Sequence, residues 1–436
     1  MYANERELKY NNIEEPKWFR LDNAAKIYPV VSGPHNGHVF RISFYLKSEI
    51  IPEVLQQATI DCKPRFPTFY VRMRKGFFWY YYEVNDKTPE VKPEPPHMCK
   101  PIDLHNNNGY HFTCYYYKNR ISMEVFHSIC DGYGAMEFTK ALVFRYLELI
   151  GNALDSENIV LTCKEKPNKA ETDDSFLNNY DAGHVKRLTV EKAYKIVGTP
   201  FLQGGTGLIT GKISTADISK LAKEKGVSVT QYLSALLAYS IIQTGDNKKL
   251  YYRPVNIFVP VNVRKYYNSK TLRNFSLYFY STFRNEGKNF SFDEVLLRNK
   301  NNFSSELTAN KLRDTLNANV AVEKNIAIKC CPLAIKRMLF KAGYMIHGKR
   351  LTTSTISNLG NISLPATMES LIEDIEVSLG AGYNTGPNAA LVSYNGITSV
   401  AFSRGIRETA IEQFFFSFLG NQGIRTVIKS NFWEKY

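Results

Sequence analysis

His127-Ser128-Ile129-Cys130-Asp131-Gly132 stands between two kinds of patterning. Before it, residues 120–126 (Arg-Ile-Ser-Met-Glu-Val-Phe) alternate like a strand; after it, residues 135–149 have the density of apolar side chains expected of a packed helix. A histidine delivered by a strand end to the mouth of a turn reaches a ligand with little strain. Its imidazole, titrating near neutral pH, suits removal of a proton from an alcohol or amine. Asp131 fixes the turn electrostatically, and Gly132 allows a backbone angle that a side chain forbids. Cys130 reads as a small side chain packed beneath the loop rather than as a nucleophile.

Working outward, residues 39–46 predict a strand and 51–60 a helix begun by Pro52. Residues 69–74 and 77–84 predict two strands joined at Lys75-Gly76. A proline-rich loop from Pro89 to Pro101 follows, then a hairpin of 110–117 and 120–126 about Lys118-Asn119. A helix over 135–150 stops at Gly151. Residues 162–185 are polar and read as a linker or surface excursion. The second half restarts with a strand at 208–213 and helices at 215–225 and 228–242, the first capped through Thr215 and Asp217. Strands at 255–263 and 276–284, helices at 292–316 and 332–344, and a strand at 352–357 come next. A final antiparallel group (374–379, 389–394, 397–403) and a helix over 409–420 close the chain. Both halves mix strands and helices, so the expected division is a lobe of residues 1–185 and a lobe of residues 186–436.

Two further stretches bear on the histidine run. Val259-Pro260-Val261-Asn262-Val263-Arg264 is followed by Thr271-Leu272-Arg273-Asn274-Phe275-Ser276. Ser354-Thr355-Ile356-Ser357-Asn358-Leu359-Gly360 leads from a strand into a Ser-Asn-x-Gly turn. With His-x-x-x-Asp-Gly, these stretches in this order resemble the chloramphenicol acetyltransferase / condensation-domain superfamily of acyltransferases, nearest to bacterial alcohol-acetyltransferase-like proteins. Residues 21–29 (Leu-Asp-Asn-Ala-Ala-Lys-Ile-Tyr-Pro) resemble a segment near the start of the same proteins, with no chemistry attached to it. The plant-type Asp-Phe-Gly-Trp-Gly segment is missing; Ser378-Leu-Gly-Ala-Gly382 stands only loosely in its place.

The resemblance implies a mixed α/β (α+β) fold of two chloramphenicol-acetyltransferase-like lobes, each a mixed sheet with flanking helices, and an active-site tunnel between them. It implies an acyltransferase in which His127 is the general base, moving an acyl group, with acetyl expected, from coenzyme A to a hydroxyl or amine acceptor. It further implies that Arg264 pairs with Asp131, so that Asp131 is structural and points away from His127. Ser357, Asn358, Gly360, Asn274 and Ser276 are the implied tunnel-lining or oxyanion-stabilising residues. Acyl-coenzyme A is then a co-substrate, with no permanently bound cofactor and no metal. The alternatives are a condensation-type enzyme taking its thioester from a carrier protein, and a non-enzymatic member of the fold.

The totals are compatible with this. A chain of 436 residues suggests two domains, and 44% apolar residues with 28 Tyr and 27 Phe supply cores for both. No apolar run approaches the ~20 residues that span a bilayer. The first nine residues lack the apolar core of a secretory signal. A cytoplasmic monomer containing both lobes is expected. Seven cysteines without Cys-x-x-Cys spacing read as reduced thiols. The net charge of +14 is dispersed, and no nucleic-acid-binding motif accompanies it, so a nucleic-acid partner is not expected. A basic surface equally suits a polyanion such as coenzyme A. The histidines outside the run (His35, His38, His97, His105, His111, His184, His347) lack metal-ligand spacing. Gly380, Gly382 and Gly386 form no dinucleotide-binding fingerprint.

Overall fold

Alternating apolar residues build the first sheet. In Val39–Leu46 the side chains of Phe40, Ile42, Phe44 and Leu46 point into one core, while Arg41 on the other face donates to the buried Glu124 carboxylate (Nε 2.9 Å, Nη2 2.6 Å). The computed structural model describes residues 18–34, 36–183, 190–201, 205–284, 290–344 and 349–431, and in it this strand is second in a five-stranded sheet. The order is Ile372–Leu379, Val39–Leu46, Arg120–Phe126, Phe112–Tyr117, Val91–Pro93. Helix Gly132–Leu149 contributes Phe138, Leu142 and Tyr146 to the same core. Among the described residues no helix is long and apolar enough to cross a membrane.

The second sheet has seven strands in the order Ser276–Phe283, Val255–Asn262, Ser354–Asn361, Asn388–Tyr394, Ile397–Arg404, Gly207–Ser214, Thr426–Ser430. Helices Val229–Thr244 and Phe292–Glu306 cover it. One strand joins the two cores. Along Asn388–Tyr394, Ala389 and Leu391 pack into the second core, whereas Ala390, Val392 and Tyr394 pack into the first. Burial on both faces explains the uninterrupted apolar run Ala389-Ala390-Leu391-Val392. A third, small sheet pairs Trp18–Arg20 and Val71–Lys75 with Tyr80–Val84.

Several sequence expectations change. The stretch expected as one helix over 292–316 is two, Phe292–Glu306 and Ala309–Lys324, because Thr308 caps a new helix by accepting from Lys311 N (3.3 Å). The antiparallel group at the end is split: Ile372–Leu379 pairs with Val39–Leu46 in the first sheet, because its inward residues Ile372, Ile375 and Val377 belong to the first core. Residues 77–79 are not strand but the tip of a hairpin closed by Gly76 N donating to Trp79 O (2.9 Å), which leaves Phe77 and Phe78 exposed. The stretch taken for a linker is anchored. Phe176 is buried against Phe275 (ring centroids 5.1 Å apart), and Glu171 accepts from Arg65 Nη2 (3.0 Å) and, through its carbonyl, from Leu272 N (2.8 Å). The boundary expected between 185 and 186, the N-terminal signal question, His35, His184 and His347 lie outside the described residues.

Candidate active site

The strand Arg120–Phe126 ends in register with Val39, and His127 N donates to His38 O (2.9 Å) just beyond that pair. The chain then turns, and Asp131 caps helix Gly132–Leu149 by accepting from Gly134 N (3.2 Å). A side-chain oxygen here satisfies a helix N–H that the helix itself leaves unpaired. Gly132 has no unusual backbone angle: its φ is not positive, and a Cβ there would meet only the end of a side chain, Leu359 Cδ2, at 2.6 Å. Gly134 is more confined still, because a Cβ there would lie 1.9 Å from Leu272 O. At these two glycines the 271–276 loop and the 354–361 strand lie close against the start of the helix.

Asp131 does not face the imidazole as a partner. Its carboxylate accepts from Arg264 Nη1 (2.8 Å) and Nη2 (3.0 Å), from Phe275 N (2.9 Å) and from Ser276 Oγ (2.8 Å). Arg264 is held in turn by the carbonyls of Thr271 (Nε, 2.8 Å) and Arg273 (Nη2, 2.6 Å), and its guanidinium lies 4.5 Å from the centre of the Tyr133 ring. Both side chains are buried. Burial alone pushes the Asp131 carboxyl up, but Arg264 and the two other donors outweigh it and hold the group below its ordinary range. The pair therefore fastens the two halves of the chain directly beneath the histidine loop.

His127 has a different partner. Its Nδ1 lies 3.2 Å from Asn274 Oδ1. The Asn274 amide nitrogen donates to Asp22 Oδ2 (3.3 Å) and to Ser128 O (3.4 Å), an arrangement that fixes which end of the amide faces the ring. With an acceptor oxygen opposite it, Nδ1 carries the proton, and Nε2 is left as the basic nitrogen. Asp22 holds the other end, accepting from Ala25 N (2.8 Å) with Arg273 Nε 3.6 Å away. Ser128 Oγ donates to Ala25 O (3.1 Å) and shares a 2.6 Å hydrogen bond with Tyr82 Oη, so residues 22–25 are stitched under the histidine loop. The imidazole stacks on Tyr28 (centroids 4.7 Å apart, planes at 20°) and meets Phe40 edge-on at 5.2 Å. Burial lowers the His127 pKa, opposed by Asp131, the backbone and Asn274.

These groups line a cavity of about 1740 Å³. His127, Asp131, Gly132, Asn274, Ser276, Ser357, Asn358 and Gly360 all contribute to its wall, whereas Arg264 lies behind it. The sequence-derived oxyanion candidates are not equivalent there. Both Asn274 amide hydrogens and the Ser276 hydroxyl are engaged by Asp22, Ser128 O and Asp131, as above. Asn358 donates to Thr230 Oγ1 (2.8 Å), and its Oδ1 accepts from Gly360 N (2.7 Å) in a bulge where Gly360 adopts φ +79°. The Ser357 side chain has no described hydrogen bond, and it alternates with the core residue Ile356, so its hydroxyl is available to a ligand. Cys130 is fully buried, and burial raises its thiol pKa, which suits packing and not nucleophilic attack.

The contributions of Asp22 and Tyr28 were not assigned from the sequence, although the segment containing them was singled out. An aspartate amid Leu21, Ala24 and Ala25 is a signal of a buried acceptor, but its partner, Asn274, is 252 residues away. If Asn274 sets the imidazole tautomer, Asn274→Ala should lower kcat by roughly 10–10²-fold with little change in KM. An unchanged kcat in a folded variant would show that the ring is oriented without it.

The arrangement is a mixed α/β fold that solved structures share along nearly the whole chain. F. graminearum TRI101 complexed with coenzyme A and deoxynivalenol superimposes with a TM-score of 0.63 at 12% identity, covering 94% of this chain and 99% of that one. Polyketide synthase associated protein 5 from Mycobacterium tuberculosis gives 0.61 at 14% identity, covering 93% and 98%. The starter condensation domain of rhizomide synthetase, in complex with C8-CoA and Leu-SNAC, gives 0.57 at 12% identity, covering 92% and 94%. No protein-family model and no curated protein sequence matches this chain.

Proposed function

We propose that the protein is an acyltransferase that moves an acyl group, acetyl by preference, from coenzyme A to a hydroxyl or amine. The observation that carries this reading is the hydrogen bond from His127 Nδ1 to Asn274, which leaves Nε2 as the basic nitrogen of a side chain that lines the cavity. Nε2 takes the proton of the acceptor O–H or N–H as that atom attacks the thioester carbonyl carbon. The new C–O or C–N bond forms while the carbonyl π pair moves onto oxygen. Ser357 is the donor best placed by chemistry to hold that oxyanion, since its hydroxyl is otherwise unengaged. When the carbonyl re-forms, the C–S bond breaks and the thiolate recovers the proton from Nε2. The Tyr28 ring face, stacked on the imidazole, stabilises its transient positive charge. Asp131 and Arg264 take no part in proton transfer; they hold the loop.

The fold neighbours support coenzyme A as donor, because two of those named above were solved with coenzyme A or an acyl-coenzyme A. A carrier-protein thioester would use the same chemistry at His127. With both lobes supplied by one chain, we take the protein to act as a monomer, in the cytoplasm where acyl-coenzyme A is drawn. Thiol release from a panel of acyl-coenzyme A donors, each with pooled alcohols and amines, tests the reading: release should require an acceptor. Donor cleavage indifferent to every acceptor would refute it.

The pH profile follows from the site. A lowered imidazole pKa keeps Nε2 unprotonated further into acid, so kcat/KM should be flat through neutrality and fall only below the ordinary imidazole value of 6.5. An inflection clearly above that value would mean that the acidic surroundings, and not burial, dominate His127.

A further inference from the structure

Helix Leu333–Gly343 is oriented against its own composition. It turns a lysine inward: Lys336 Nζ donates to the carbonyls of Phe78 (2.9 Å) and Lys329 (3.4 Å) and sits 3.6 Å from the centre of the Trp79 ring. Outward it shows Ile335, Met338 and Leu339, which are 50, 74 and 63% exposed. The adjoining hairpin tip adds the exposed Phe77 and Phe78, tied to the helix by Leu333 N donating to Phe77 O (2.8 Å). Five large apolar side chains on two touching segments exceed the scattered exposure usual on a soluble surface.

The helix and the segment leading into it carry charge of one sign. From Lys324 to Tyr344 the sequence has five Lys and Arg and no Asp or Glu, and Arg337 and Lys341 are exposed on the helix itself. An apolar helix face flanked by unbalanced basic residues suits the boundary between anionic headgroups and acyl chains, where the apolar groups insert and the cations meet lipid phosphates. We propose that this helix and hairpin tip dock the chain on an anionic lipid surface.

The cavity wall extends to this helix and hairpin. Phe340, on the inner side of the helix, lines it together with Trp79, and so does Val322, which is 48% exposed. Resting on the acyl-transfer reading, the acceptor is then an alcohol or amine dissolved in the lipid, reaching His127 past these apolar residues.

The experiment is co-sedimentation of the full chain with phosphatidylcholine vesicles, with and without phosphatidylglycerol. The wild type should bind the anionic vesicles. The triple variant Ile335→Ser, Met338→Ser, Leu339→Ser, which keeps the net charge, should bind them at least about tenfold more weakly while melting at the same temperature. A chain carrying +14 attracts anionic vesicles wherever its charges lie, so equal binding by the triple variant overturns the proposal. Failure of the wild type to bind overturns it too, as does light scattering that shows a wild-type dimer made monomeric by the three substitutions. Acetyl transfer to a long-chain alcohol held in the vesicles should fall in the triple variant, and transfer to a short water-soluble alcohol should not; equal loss on both rules out a lipid-borne acceptor. Turnover of neither by the wild type defeats the acyl-transfer reading instead, and vesicle binding still decides the docking.

Discussion

Asp131→Ala should lower the stability of the protein by about 3–5 kcal/mol, the usual consequence of leaving one member of a buried ion pair without its partner. The Arg264 guanidinium would remain buried with two backbone carbonyls, the Asn262 amide oxygen and no carboxylate, and Phe275 N and Ser276 Oγ would lose their acceptor as well. Arg264→Ala strands the opposite charge and should cost a similar amount. The double variant should then lose less than the sum, by a coupling on the order of 1–3 kcal/mol, read from urea unfolding of all four proteins. Strictly additive losses would contradict the contact. The sign with pH is fixed by the lowered Asp131 pKa: the contribution is complete above the ordinary aspartate value of 3.8 and is lost as pH falls through the lower native value.

His127→Ala should have the opposite character. The side chain borders the cavity and carries no buried charge, so its removal leaves space and strands no charge, only the Asn274 amide oxygen without its donor. The fold and the unfolding midpoint should persist while kcat falls by roughly 10²–10⁴, the range for losing a positioned acid–base group. Donor KM should change little, since the proposed role of the imidazole is on the acceptor proton and not on the donor. Near-normal turnover by a folded variant would remove His127 from the chemistry.

The histidine loop and its Asp131–Arg264 anchor were legible because each lies in a short run with a recognisable pattern, and the family resemblance supplied the distant pairing. In the structure Arg264 Nη1 and Nη2 donate to the Asp131 carboxylate. The imidazole's own partner was not legible. Asn274 stood among the tunnel candidates, and only the fold shows that its amide end is taken by Asp22 and Ser128, which turns its oxygen to the ring. Local sequence also could not assign Ile372–Leu379 to the first sheet, because alternation marks a strand without naming its neighbour. The polar segment before residue 184 misled for a related reason: one Phe176 against Phe275 and one Glu171 against Arg65 anchor it, and neither makes a periodic signal.

The most direct test of the account is transfer of label from [acetyl-¹⁴C]acetyl-coenzyme A into an alcohol or amine acceptor, with free thiol counted in the same reaction. The prediction is one labelled ester or amide per thiol released, an absolute need for acceptor, and no label left on the denatured protein. Label retained on the protein, or thiol released without a labelled acceptor, would contradict direct transfer with His127 as the base.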